Sequence, residues 1–193
     1  MQRAPHMKLA GLRTLVLLSG GIDSAATLSL YKRQGADLSA VHFDYHQPAR
    51  RSEWAAASSI AEYYNVPVSR FRFSMKLGCQ NGEFFARNAL FVLAAAATVG
   101  HGPLVVAAGI HDGSPYYDTT ASFVRDIQRL LDGYGGGTIT FAAPFLGASK
   151  QEIVKSARRH RIPLRLTYSC ERRGAPPCGQ CRSCRDRKEL GVD

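Results

Sequence analysis

The run Ser19-Gly20-Gly21-Ile22-Asp23-Ser24 follows a short apolar stretch, Thr14–Leu18, and precedes an apolar-periodic one, Ala25–Gln34. Paired glycines let several backbone N–H groups converge into a concave anion site. A helix starting at that point adds its positive N-terminal end. Ser19 and Ser24 bring hydroxyl donors. Together these groups can hold a pyrophosphate. The run lacks the Gly-Lys-Ser/Thr ending of a Walker loop and is not a Gly-x-Gly-x-x-Gly dinucleotide loop.

A second constellation lies near the end of the chain. Cys170, Cys178, Cys181 and Cys184 are spaced Cys-x7-Cys-x2-Cys-x2-Cys. Tetrahedral zinc takes four thiolates, and Cys-x2-Cys steps wrap two of them around one ion. Gly179 permits the tight turn between Cys178 and Cys181, and Pro176-Pro177 stiffens the approach. Four thiolates close the coordination sphere, so such a zinc is structural. An iron–sulfur cluster and a catalytic thiol pair are the alternatives that four thiols leave open. Crowded cysteines of this kind suit a metal site in a reducing compartment better than a disulfide framework. Cys79 stands apart and reads as a plain thiol.

These groups need a scaffold, and the chain alternates strand and helix. Strands are expected at 14–18, 38–43, 68–73, 104–108 and 138–142, and helices at 25–34, 51–64, 85–99, 122–132 and 149–160. Ser149 with Glu152 three residues on is a capping box for the last helix. Strict alternation predicts an α/β fold, a parallel five-stranded sheet with helices on both faces. Ligands of such sheets sit at the carboxyl ends of the strands. Residues 1–165 are expected to form this domain, with 1–11 a flexible leader, and 166–193 a small C-terminal zinc-binding knuckle.

The formal net charge is +10 over 193 residues. Residues 151–193 hold eleven Lys/Arg against five Asp/Glu. That surface attracts nucleotides, pyrophosphate, RNA or acidic protein faces, or simply faces water. The apolar run Leu90–Val99 is too short to span a bilayer, and no secretory signal opens the chain. A cytoplasmic protein with no membrane partner is expected.

The string Ser-Gly-Gly-x-Asp-Ser resembles the PP-loop of the ATP pyrophosphatases, whose fold is that of the adenine nucleotide alpha hydrolases. Joined to a C-terminal cysteine knuckle, it resembles the QueC family of 7-cyano-7-deazaguanine synthases. Four further pieces carry that likeness: Phe43-Asp44-Tyr45-His46-Gln47, Arg87-Asn88, Pro144-Phe145-Leu146 with Ser149–Val154, and Leu166–Cys170 running into Cys178–Arg185. The resemblance implies ATP and Mg²⁺ as well as structural Zn²⁺, and a homodimer. It implies adenylation of the carboxylate of 7-carboxy-7-deazaguanine, amidation by ammonia and dehydration to the nitrile. Ser19, Gly20, Gly21, Asp23, Ser24 and Arg87 would then hold the nucleotide. Asp23, Arg87 and Lys150 would serve catalysis, Asp23 by helping to hold Mg²⁺ or pyrophosphate. Tyr45, Gln47, Asn88, Ser114, Tyr116 and Asp118 would line the deazaguanine pocket, Asp118 by accepting from a guanine-like N–H edge.

The acceptor side departs from the family pattern. Thr119-Thr120 replaces a Cys-Arg step, His46 stands where Tyr-Gly-Gln has its glycine, and the spacing of Arg50, Arg51 and Glu53 after Gln47 is changed. Two further readings follow. One is a relative that joins the same carboxylate to another amine, such as a protein acceptor in an anti-phage cluster. The other is a PP-loop enzyme that modifies tRNA, which the basic tail suits. A nucleotide-binding or zinc-knuckle module without catalysis is the reading from a different class.

Overall fold

The first strand is β1 (Arg13–Leu17), in which consecutive residues point to opposite sides of the sheet. Val16 buries on one side and Leu15 on the other, so each face gains an apolar surface. The computed structural model describes residues 10–74, 79–80, 83–100, 102–111, 116–172 and 176–192. In chain order β1 is followed by α1 (Ile22–Arg33), β2 (Asp37–Asp44), α2 (Arg50–Tyr63) and β3 (Val68–Arg72). A short hairpin comes next, β4 (Cys79–Gln80) with β5 (Glu83–Phe84). Then come α3 (Arg87–Val99), β6 (Leu104–Ala107), α4 (Ala121–Gly135), β7 (Ile139–Ala142), α5 (Lys150–Arg159) and α6 (Arg182–Glu189).

The main sheet is wholly parallel, in the order β3-β2-β1-β6-β7. Helices cover both faces, as the strand–helix alternation predicts. One core joins α1, α2 and α5 through residues such as Leu28, Ile60 and Ile153. The other joins α3 and α4 through Val92, Phe123 and Ile127. The chain runs outward from β1 to β3 and then returns to the other side as β6. The strand order therefore reverses between β1 and β6, the crevice where such sheets bind ligands.

Two elements carry no periodic signal and were not expected from sequence. One is the β4–β5 hairpin. The other is α6, whose residues Arg-Ser-Cys-Arg-Asp-Arg-Lys-Glu show no apolar stripe. Its end is held by tertiary contacts: the Arg158 guanidinium donates to the carbonyls of Leu190 and Gly191 at 2.7 and 2.9 Å, and Val192 is buried in the first core. α1 begins at Ile22, three residues before the predicted start, because the glycine loop winds directly into the helix. No described helix is long and apolar enough to cross a membrane.

Candidate active site and metal centre

The loop after β1 opens at the reversal point. Gly20 has φ +90°, a left-handed conformation that glycine adopts without strain. A Cβ there would lie 2.6 Å from the Glu53 carbonyl oxygen of α2. Only glycine lets the loop pass this close. The buried Ser24 hydroxyl donates to the Gly21 carbonyl at 3.0 Å and accepts from Ser19 at 3.1 Å. Ser24 thus shapes the loop, while Ser19 is the exposed hydroxyl of the pair.

Asp23 sits in the first turn of α1. Its Oδ2 accepts from the Lys150 ammonium at the start of α5, 127 residues away in the chain. The His111 Nε2 lies 3.8 Å from the same oxygen. Asp23 Oδ1 is buried without a hydrogen-bond partner among the described residues. A carboxylate oxygen left in that state suits a divalent cation. Lys150 is therefore drawn inward to the loop, although its neighbour Ser149 caps the helix with Glu152.

His111 and Gly109 were not singled out by sequence. Gly109 follows β6, and a Cβ on it would lie 2.7 Å from the Asp23 carbonyl carbon. That contact presses the β6 loop onto the start of α1 and delivers His111 to Asp23. The available signal was positional: a glycine just after an apolar strand at the reversal point.

The remaining site residues fall into two groups. Gln47 is buried, with its amide N–H₂ donating to the Phe43 carbonyl at 3.1 Å and to Glu53 Oε2 at 2.7 Å. Its carbonyl accepts from the Tyr45 N–H at 2.9 Å. Gln47 organises the β2–α2 turn, and Tyr45 packs edge-on against Phe84 with ring centres 5.3 Å apart. Burial raises the Glu53 carboxyl above the usual range, against the pull of its Gln47 hydrogen bond and the Arg87 charge. Arg87 is the first residue of α3.

Asn88 and Asp118 meet each other. The Asp118 carboxylate accepts from the Asn88 N–H at 3.1 Å, and its carbonyl accepts from the Asn88 side chain at 3.0 Å. Asp118 therefore satisfies an amide in the first turn of α3. The cap of α4 is Thr120, which accepts from the Phe123 N–H at 3.2 Å. Tyr116 lies beside them and is exposed. Ser114 falls outside the described residues, as do residues 1–9 and the side chain of Cys79.

The four C-terminal cysteines do converge, with their sulfurs all within 4.8 Å of one another. Zinc–sulfur bonds of about 2.3 Å place tetrahedral thiolates roughly 3.8 Å apart, so one ion fits. The Cys178 N–H donates to the Cys170 sulfur at 3.4 Å, and the Cys181 N–H to the Cys178 sulfur at 3.3 Å. The N–H groups of Gln180 and Cys181 hold the Cys178 thiol down at about 6. A thiol so placed is poised as the thiolate that metals require.

The family model described as "Queuosine biosynthesis protein QueC" matches residues 13–82 and 78–190. This chain belongs to the QueC family. Among its relatives, the 7-cyano-7-deazaguanine synthase of Desulfitobacterium hafniense is 33% identical, over 89% of this chain and 85% of that protein. The synthase of Acetivibrio thermocellus is 30% identical, over 93% of this chain and 95% of that one. Two solved structures share the fold at 17% identity. The U34-tRNA thiolase NcsA of Methanococcus maripaludis, with its [4Fe-4S] cluster, has a TM-score of 0.55 over 97% of this chain and 66% of its own. The NMN synthetase of Francisella tularensis has 0.52 over 95% and 74%. The QueC match thus spans both loop 19–24 and the cysteine cluster.

Proposed function

We propose that this chain uses ATP to adenylate the carboxylate of 7-carboxy-7-deazaguanine and transfers the acyl group to ammonia. The amide is then dehydrated to 7-cyano-7-deazaguanine in a second ATP-consuming round. The observation that carries this reading is the meeting of Lys150 and Asp23 at the mouth of the phosphate loop, in a chain whose relatives are named 7-cyano-7-deazaguanine synthase.

The chemistry needs no covalent enzyme intermediate. A carboxylate oxygen attacks the α-phosphorus and pyrophosphate leaves with the bond electrons. Ammonia then attacks the acyl carbon, AMP leaves, and one proton is lost from nitrogen. The loop N–H groups and Ser19 hold the leaving pyrophosphate, with the helix end of α1 behind them. Lys150 moves its charge from Asp23 onto the phosphates as they bind. Asp23 Oδ1 would hold Mg²⁺, which when bound neutralises charge on the leaving group. Arg87 steadies the carboxylate or α-phosphate. Tyr45 and Tyr116 form walls of the pocket, in which Asn88 and Asp118 fix the start of α3. The four cysteines would hold a structural Zn²⁺.

A second reading changes only the acceptor. The Thr119 and Thr120 hydroxyls donate to the Tyr116 and Tyr117 carbonyls at 2.8 and 2.7 Å. They are spent locally where the family pattern has Cys-Arg, so the acceptor side differs from that pattern. Mass spectrometry of the protein with Mg-ATP, 7-carboxy-7-deazaguanine and ammonium tests both readings. AMP with amide or nitrile supports the first. AMP with adenylate and no amide moves the acceptor to another amine, and no AMP overturns the adenylation chemistry.

A further inference from the structure

A buried histidine that the proposed chemistry does not use sits at the entry to the phosphate loop. His42 of β2 is 1% exposed. The β1 ladder reaches Leu18, whose N–H donates to the Val41 carbonyl at 2.8 Å. The Leu18 carbonyl itself lies 3.1 Å from His42 Nδ1. A carbonyl only accepts, so Nδ1 carries the proton and donates it. The parallel register sets Arg70 of β3 beside His42. The Trp54 ring of α2 lies over both, 5.7 Å from the imidazole and 5.4 Å from the guanidinium carbon. The residue before it, Glu53, sets its carbonyl against Gly20. One turn of α2 thus holds the imidazole and borders the loop. Burial pulls the imidazole below its ordinary range, helped by the Arg70 charge and opposed by the Leu18 bond and Asp44, so the ring is neutral. Nε2 is buried with no hydrogen-bond partner among the described residues. An unpaired buried acceptor destabilises a fold, and an apolar side chain would avoid that cost. What the ring contributes is therefore its Nδ1–H.

We infer that His42 is a positioning residue for the nucleotide: its Nδ1–H fixes the Leu18–Ser19 peptide and so aims the first N–H of the loop. The inference rests on the proposed reading of loop 19–24 as the nucleotide site. The Leu18 carbonyl and the Ser19 N–H share one rigid plane and point in opposite directions. Holding the carbonyl toward the buried imidazole turns the Ser19 N–H away from the core, on a residue that is exposed. That donor is then aligned before phosphate arrives.

Calorimetric titration with Mg-α,β-methylene-ATP tests this on the full chain carrying His42→Asn, His42→Gln or His42→Leu, with urea denaturation to show that each is folded. Asn sets an amide N–H₂ as far from the backbone as Nδ1, Gln sets it one carbon further out, and Leu has no donor. Leu and Gln should weaken binding by about tenfold, the weight of one buried hydrogen bond. Asn should restore affinity to within about threefold of the unaltered protein, whatever the order of the three stabilities. Affinities that do not change, or that weaken alike in Asn and Leu, mark a histidine that only packs and sink this inference alone. The unaltered protein gives a check that needs no variant. Long-range proton–nitrogen correlation spectra should show the His42 ring as the Nδ1–H tautomer, and the Nε2–H tautomer overturns the inference. Failure of the unaltered protein to bind the analogue overturns the nucleotide site, and this inference with it.

Discussion

At the residue scale the site turns on one carboxylate with two differently used oxygens. Asp23 Oδ2 faces Lys150 and His111, while Oδ1 has no partner among the described residues. Asp23→Ala is expected to lower AMP formation by about 10²- to 10³-fold, the usual cost of losing one preorganised charge group. Lys150→Met should act in the same assay by a similar factor while keeping the α5 cap, which resides in Ser149. Gly109→Ala tests the positioning of Asp23 from behind. The added methyl meets backbone 2.7 Å away, and overpacking of this kind costs about 1–3 kcal/mol. Urea denaturation should show that loss, with AMP formation falling further than stability alone explains.

At the scale of elements, β2 and β3 are pinned at their carboxyl ends by Asp44, whose Oδ2 accepts from the Arg70 guanidinium at 2.6 Å. Arg70 also lies over the Trp54 ring of α2, 5.4 Å from its centre. Burial alone would push the Asp44 carboxyl up. The His46 N–H and the Arg70 charge outweigh it and hold it below the usual range. A carboxyl depressed on folding adds stability that is fully present above its unfolded value, about 3.9. That stability is lost as pH falls through the lower folded value. Asp44→Asn should therefore cost about 1.5–3 kcal/mol at neutral pH, the range for a hydrogen bond to a charged group. Chemical denaturation from pH 7 to pH 2 should show the gap between variant and unaltered protein closing only at the acid end. At the start of α5, Ser149→Ala removes the capping box and should cost about 1 kcal/mol by the same measurement.

At the scale of the whole molecule, the C-terminal segment is both a ligand cluster and part of the core. Cys170 and Cys184 are buried, and Val192 packs with Ile153 and Ile162. Metal that binds only the folded cluster stabilises by mass action, about 4 kcal/mol when present at a thousand times its dissociation constant. Chelation should then lower the melting temperature by roughly 10 °C for a chain of this size. Zinc should restore it, as read by circular dichroism. Persistence of the melting temperature after the metal content has been shown to fall to zero would remove the cysteines from the stability of the fold.

Local chemistry was readable along the chain. The glycine pair, the Cys-x2-Cys steps and the Ser149–Glu152 box act through neighbours a few residues away, so their spacing states their geometry. The strand–helix alternation determined the sheet class in the same way, because short continuous apolar runs and helical stripes are written in consecutive residues. What folding alone decided is long-range. The strand reversal between β1 and β6 brings Lys150 and His111 onto Asp23, and no local pattern encodes a contact across 127 residues. Asn88 and Asp118 bond each other, and the Gln47 N–H₂ is directed into the protein, because buried polar groups must find partners that only packing supplies. Helix α6 forms without an apolar stripe because the cysteine cluster and Arg158 hold it. The bond from the Tyr168 N–H to the Gly20 carbonyl exists only where two turns far apart in sequence meet.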